Sequence, residues 1–149
     1  MTIQDIINDI TLNKARYGIK LDEPAIELQI KELENALKIR LPNDIKEFYK
    51  FSDGFESNED IFRIIKLDEI IQYADELPQN HFYLAEYMIY SDMWVVKLNQ
   101  DNSAYEILEY SFKTVLTKSF TEFLERFLKG GVFDKGGLYD WKDEIDKAG

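Results

Sequence analysis

Leu41-Pro42-Asn43-Asp44-Ile45-Lys46-Glu47-Phe48-Tyr49-Lys50-Phe51-Ser52-Asp53-Gly54-Phe55 is the stretch at which the character of this chain turns. Leu41-Pro42 ends a connection and opens a short helix, where proline costs little in the first turn. Ile45, Phe48 and Tyr49 follow at i, i+3 and i+4, so they share one inward face. Asp53-Gly54 stops the helix, because glycine tolerates the positive φ that a helix exit or turn often needs. A few residues on, Ile61-Phe62-Arg63-Ile64-Ile65 reads as a strand rich in β-branched and aromatic residues.

Upstream of this stretch the pattern is helical. Thr2 and Asp5 fit the S/T-x-x-D/E capping pattern, and Ile3, Ile6, Ile7 and Ile10 form one apolar face behind it. Gly18 lies in the connection that follows. Asp22 reads as the N-cap of a second helix with Glu23 and Pro24 in its first turn. Ile26, Ile30, Leu33 and Leu37 give that helix its apolar stripe.

Downstream the pattern is mostly β. Asp68 reads as the cap of a short helical turn through Ile71 and Tyr73. Strands are expected at Tyr87 to Tyr90, Met93 to Leu98 and Tyr105 to Tyr110, with a last short one at Val115 and Leu116. Asn99-Gln100-Asp101-Asn102 is good hairpin chemistry. Ser119 with Glu122 marks a capping box, and Phe120, Phe123, Leu124, Phe127 and Leu128 build the inward face of a closing helix that Gly130-Gly131 ends. The aromatic tail through Leu138, Tyr139 and Trp141 is expected to pack back on the body. Helices, then a meander, then a closing helix make the fold class α+β: a mostly antiparallel, mixed sheet with N-terminal helices and a C-terminal helix packed on it.

The bulk composition agrees with one domain over residues 1–149. The chain is 45% hydrophobic and 32% charged, with only 7 Gly and 3 Pro, which leaves little material for a linker. It has no cysteine, which excludes disulfides, thiol nucleophiles and thiolate metal sites. No charged-then-apolar leader opens it and no apolar run reaches the ~20 residues of a membrane span, so a cytoplasmic location is the expectation. A net charge of −11 repels phosphate backbones and anionic lipid. Nucleic acid and membrane are therefore not expected partners; the acidic surface either mainly keeps the protein soluble or attracts a basic protein partner, and both readings stand.

Chemistry is sparse. His81 is the sole histidine, without cysteine partners or a G-x-S-x-G serine to activate, and reads as a surface or packing residue. No phosphate-cradling glycine motif is present. Carboxylates cluster at Glu56, Glu59 and Asp60, at Asp75-Glu76, and over Asp140 to Asp146, but none has the spacing of a calcium loop. Neither a catalytic residue, a metal ligand nor a cofactor is assigned, and the chain is expected to be no enzyme. A carboxylate pair drawn from distant positions is the one hydrolytic alternative.

The aromatic residues of the β half carry more information. Tyr83, Tyr87, Tyr90, Trp94, Tyr105 and Tyr110 are interleaved with Glu86, Asp92, Glu106 and Glu109. Strand alternation sends neighbours to opposite faces, so these rings cannot all enter one core. They are either cross-strand aromatic pairs on an outer face or the anchors of an acidic interface, and both readings stand. The expected partner-binding residues are Glu86, Tyr90, Asp92, Trp94 and Tyr105, with Glu56 and Glu59 as a secondary acidic rim. An exposed edge strand could support a weak homodimer; otherwise a monomer is expected.

Three segments in order resemble the SUKH superfamily, which includes fungal cell-wall and glucan-synthesis regulators of the Smi/Knr type and many bacterial immunity proteins. Leu41 to Tyr49 followed by Ser52-Asp53-Gly54-Phe55 is similar to that family's Leu-Pro helix and Asn/Asp-Gly turn. Phe62 to Ile70 is similar to its strand followed by an L-x-E-I segment, and Ser119-Phe120-Thr121-Glu122-Phe123-Leu124 to its closing S-F-x-x-F-L helix. The chain departs from the pattern at Tyr90-Ser91-Asp92-Met93-Trp94, where many members have a Gly/Asp-rich turn, so no contact is carried over from that turn. The resemblance implies an α+β fold, no enzymatic activity and a role in binding another protein. In bacteria that protein is a delivered toxin domain, often a nuclease; the alternative role is a regulatory scaffold in cell-wall or glucan synthesis.

Overall fold

The structure, a computed structural model, describes residues 1–58, 61–89, 91–111 and 113–148. Among these the chain forms six α-helices and seven strands. In order they are α1 (Ile3–Tyr17), β1 (Ile19–Leu21), α2 (Glu27–Leu37), α3 (Asn43–Phe51), β2 (Phe55–Ser57), β3 (Phe62–Ile64), α4 (Leu67–Gln72), β4 (His81–Tyr87), β5 (Asp92–Leu98), β6 (Tyr105–Glu109), β7 (Thr114–Thr117), α5 (Phe120–Gly130) and α6 (Leu138–Ala148). The strands make one sheet in the order of the sequence, and every described neighbour pair is antiparallel. The fold is thus α+β, and its sheet is a pure antiparallel meander rather than a mixed one. The β1–β2 connection carries α2 and α3, the β3–β4 connection carries α4, and the other strands are joined by short turns; each connection returns the chain to an antiparallel neighbour.

The helix ends follow local chemistry. At α1 the capping box is complete, with the Thr2 amide donating to Asp5 Oδ2 at 2.8 Å and the Asp5 amide to Thr2 Oγ1 at 3.2 Å. Gly18 exits the helix at φ +65° and leads straight into β1. At α5 the Ser119 hydroxyl accepts the Glu122 amide at 3.2 Å, but the Glu122 carboxylate turns away. It takes the Thr117 hydroxyl at 2.5 Å instead, while the Ser119 amide goes to Thr117 Oγ1 at 3.0 Å.

Three expectations are corrected. The second helix begins at Glu27, not after Asp22, and Asp22 serves a tertiary contact described below. The strand expected at Tyr87 to Tyr90 lies earlier, at His81–Tyr87, and Met88 and Ile89 belong to the turn after it. β1 and β2, each of three residues, were not anticipated, because so short a segment shows no periodicity.

Register assigns the two faces. Phe62, Ile64, Ala85, Trp94, Val96 and Ile107 share the face against which α5 packs; Phe62 stacks on Phe127 at 4.1 Å between centroids and meets Trp94 at 5.5 Å. α1, α3 and α5 pack against one another there. The other face is not bare. Leu77, downstream of α4, closes over the buried Val95 and Leu108, and Tyr83 and Tyr110 meet edge-on beside them at 6.4 Å. The structure therefore puts helices on one face and a partial cover from the α4 segment on the other.

Ser52-Asp53-Gly54 joins helices to sheet. Ser52 Oγ accepts the Asp22 amide at 2.9 Å and donates to the Gly54 carbonyl at 2.5 Å. Asp53 Oδ1 accepts the Leu67 amide at 2.9 Å, capping α4 from outside in place of Asp68. Lys66 reaches back to Asp22 at 2.9 Å, and that hydrogen bond lowers the Asp22 carboxyl below its ordinary range. Gly54 sits at φ +78°, and a Cβ there would lie 2.3 Å from the Ile64 carbonyl oxygen. Only glycine meets both conditions.

Gly54→Ala is expected to lower the unfolding free energy by about 2–4 kcal/mol, read as a fall in the urea midpoint. At Asp53 two variants separate hydrogen bonding from charge. Burial pushes this carboxyl up, so its folded pKa exceeds its unfolded one, and its contribution to stability falls as pH rises through that window. Asp53→Asn keeps an acceptor for Leu67 and should hold stability at pH 7 while removing this pH dependence; Asp53→Ala should cost about 1–2 kcal/mol. Equal losses in both would refute the capping role.

Candidate functional site

The face of the sheet opposite α5 carries a row of charged side chains in direct cross-strand register. Lys20 on β1 faces Glu56 on β2, Glu56 faces Arg63 on β3, and Arg63 faces Glu86 on β4. Arg63 donates from Nε to Glu86 Oε1 at 2.7 Å, and from Nη1 and Nη2 to the two oxygens of Glu69 on α4 at 2.8 and 2.7 Å. The Glu69 carboxylate, hydrogen-bonded to it, pushes the Arg63 guanidinium further up its range, and Glu86 adds to this. Glu86 is only 3% exposed, and its Oε2 meets no hydrogen-bond donor among the described residues.

This row ends at two neighbouring hairpin turns. The β2–β3 and β4–β5 turns lie side by side, joined by the Met88 amide donating to the Ile61 carbonyl at 3.0 Å. Among the described residues of these turns, three apolar side chains point outward: Ile61 is 55% exposed, Met88 47% and Ile89 79%. All three have positive φ, at 52°, 49° and 49°. For a β-branched residue that conformation is an outlier that costs about 1–2 kcal/mol. Such strain and such exposure concentrate where a surface makes contacts. Between the turns runs a groove of about 310 Å³ lined by Glu56, Ile61, Arg63, Glu86 and Ile89 among others. A second hollow of about 350 Å³, bordered by Lys97, Tyr105, Glu106 and Lys118, lies at the other end of the sheet.

The residues expected to bind a partner separate into three groups. Glu56 and Glu86 are brought together at the groove. Asp92 and Trp94 are buried instead, which corrects their reading as an outer surface, while Tyr105 is half-buried with its hydroxyl turned toward the helices. Asp92 is buried and accepts the Tyr139 hydroxyl at 2.5 Å and the Ser111 hydroxyl at 3.1 Å, tying β5 to α6. Trp94 is fully buried between Phe62 and Phe123. The Tyr105 hydroxyl donates to Asp44 on α3 and accepts the Phe120 amide at 2.7 Å, so it pins two helices to β6. Burial pushes that hydroxyl well above the ordinary tyrosine range, with Asp44 reinforcing it. Tyr90 and Glu59 lie outside the described residues. The reason for the inversion is register: β5 turns Asp92, Trp94 and Val96 toward α5, whereas Met93 and Val95 face the other way.

Arg63, Ile61 and Ile89 were not singled out by sequence. Ile61 and Arg63 were read as ordinary strand positions, and Ile89 as part of a strand. The available signal was the pair Met88-Ile89 followed by Tyr90-Ser91-Asp92, apolar residues where a turn favours Asn or Gly. His81 contacts the Gln79 carbonyl through Nδ1 at 2.9 Å, a local turn contact. No group of three or more histidine or carboxylate side chains among the described residues could hold a metal ion.

The charge row generates a stability prediction. Arg63→Met leaves the buried Glu86 without a counter-charge and should cost about 3–5 kcal/mol in a denaturant titration. Arg63→Met combined with Glu86→Leu should recover most of that loss, since a buried charge pair contributes little net stability over an apolar replacement.

The comparisons with known proteins agree with this architecture. No curated protein matches the chain. A model of the SMI1 / KNR4 family (SUKH-1) matches residues 24–126, a span that begins ahead of α2, takes in the Ser52-Asp53-Gly54 turn and the charge row from Glu56 to Glu86, and ends within α5. That span is well over half of the sequence, and the chain belongs to the SMI1 / KNR4 family (SUKH-1).

Proposed function

We propose that this chain is a non-catalytic protein-binding module that neutralises a bacterial toxin domain, a basic nuclease-like domain in particular, by direct one-to-one binding. The observation that carries the reading is the groove. It combines the exposed, strained side chains of Ile61 and Ile89 with Glu56 and Glu86, on a chain whose net charge is −11. Apolar anchors set among acids suit a basic protein surface, and the charge steers its approach. Binding is favoured over catalysis because Glu86, the buried carboxylate at the groove, and Glu69 beside it are both engaged with Arg63. Free, paired acids would be needed for general acid–base work.

The test begins with the coding sequence immediately upstream of this gene. A secreted protein ending in a basic domain there supplies the partner, and the purified domain should form a one-to-one complex that abolishes its toxicity. Association should slow steeply between 50 and 500 mM salt, at concentrations on the order of those that screen charge over a few ångströms. Glu56→Lys should slow it further, by about tenfold at low salt. If envelope genes flank this one and no toxin domain binds, the scaffold role in cell-wall or glucan synthesis replaces this reading.

A further inference from the structure

We infer that the partner's contact surface on this chain is an apolar arc around one end of the sheet, made by Ile61, Met88, Ile89 and Phe133, and that it receives an apolar side chain flanked by lysine or arginine. This deepens the protein-binding reading above and rests on it. Nine large apolar side chains are exposed among the described residues, and four of them lie at this end. The β2–β3 and β4–β5 turns supply Ile61, Met88 and Ile89. Phe133, 56% exposed on the loop between α5 and α6, joins them from the α5 side. Its ring stands edge-on to that of Tyr87, the residue before Met88, at 5.0 Å between centroids, and tilted to Tyr139 at 5.4 Å.

The loop is built to hold Phe133 outward. Its two ends approach so closely that a Cβ on Gly130 would lie 2.3 Å from the Gly137 amide nitrogen. The Asp134 amide donates to the Gly130 carbonyl at 2.9 Å and the Tyr139 amide to the Val132 carbonyl at 3.1 Å. Between these bonds Val132 turns into the core and Phe133 turns out. A phenylalanine, a methionine and two isoleucines exposed side by side have the composition of interface anchors. The family model's match ends at residue 126, so Phe133 is the part of the arc that family membership does not supply. Charge chooses the occupant. A second copy of this chain, a phosphate backbone and an anionic bilayer all share the sign of its net charge of −11, and a basic protein has the opposite one. Lysine or arginine beside an apolar residue lays its aliphatic stem on such a surface and keeps its charged head in water near Glu56, which is exposed at the groove.

The experiment is a ¹⁵N-amide titration of the full chain with acetyl-Lys-Leu-Phe-Lys-amide, set against acetyl-Glu-Leu-Phe-Glu-amide and acetyl-Lys-Ser-Ser-Lys-amide. The first peptide should shift the amides of Ile61, Met88, Ile89 and Phe133, and bind about tenfold more tightly than either of the others. Phe133→Ser should weaken it about tenfold, and Phe133→Leu should retain most of the binding. Ile89→Asn should weaken it as well while raising Tm, because asparagine accepts the left-handed conformation that strains isoleucine. That pairing separates loss of contact from loss of fold. Leu12→Ser, at a position of α1 that is 81% exposed, should change nothing.

Shifts centred elsewhere, equal binding of the three peptides, or full binding by Phe133→Ser overturns the inference. So does a parent chain that sediments as a dimer which Phe133→Ser dissociates, or one that co-sediments with phosphatidylcholine vesicles; the arc then belongs to a second copy or to a membrane. The two readings fail separately. A toxin domain that binds Phe133→Ser and Ile89→Asn as well as the parent chain removes the arc and keeps the toxin role. A peptide that binds the arc while the upstream domain does not bind removes the toxin role alone.

Discussion

The Gly54 backbone rests so close to the Ile64 carbonyl that a single added carbon would collide with it, and the sheet depends on that approach. Gly54 is where the chain leaves α3 and becomes β2, and β2 must lie beside β3 for Phe55 to pair with Ile64. Ser52 fixes the same point from the other side by holding Asp22 at the end of β1. Asp53 fixes it once more by capping α4 through Leu67. Three consecutive residues thereby set the positions of β1, β2, β3 and α4. Because β2 and β3 position Glu56 and Arg63, the charge row inherits its register from this turn.

The interior then selects which polar groups remain at the surface. Phe48, Phe55, Phe62, Phe120, Phe123, Phe127 and Trp94 form a continuous set of tilted, stacked and edge-on ring contacts between α3, the sheet and α5. Such rings contribute area and geometry together, and their size leaves few gaps. Tyr105 with Asp44 and Tyr139 with Asp92 pair polar atoms on that side as ties between sheet and helices, while Trp94 Nε1 stays buried without a partner among the described residues. On the opposite face α4 covers only a part, so charges persist there by pairing with one another.

Much of the fold is legible in the sequence, and the residues show why. Thr2 with Asp5, Ser119 and Gly18 act within a few positions of themselves, and local signals of that kind survive without tertiary context. The Leu41-Pro42 helix and the Asp53-Gly54 exit are legible for the same reason. β1 and β2 are not, since three residues held by neighbours carry no pattern of their own. Asp22 misleads because it has the type and place of an N-cap, while Ser52, thirty positions away, and Lys66 recruit it elsewhere. The site is legible in half. Glu56 and Glu86 stand out by charge, but their common partner Arg63 appears only once the register is known. Trp94 and Tyr105 attract attention by type, and which face a residue takes is settled by a shift of one position that composition cannot report.

Two costs sit within one small region of this molecule, and the second of them carries the functional argument. A buried carboxylate oxygen without a donor and two isoleucines in the left-handed region each oppose folding. The strain at Ile89 would be relieved by Ile89→Asn, without disturbing the aromatic interior or the Gly54 turn. A sequence shaped by stability alone has no reason to hold exposed isoleucines in that conformation at the edge of a groove. Binding supplies the reason, because an apolar surface laid on Ile61 and Ile89 turns that cost into contacts. The antiparallel register of β2, β3 and β4 behind them holds Glu56, Arg63 and Glu86 in one row, so the charges beside these isoleucines are set by the fold itself.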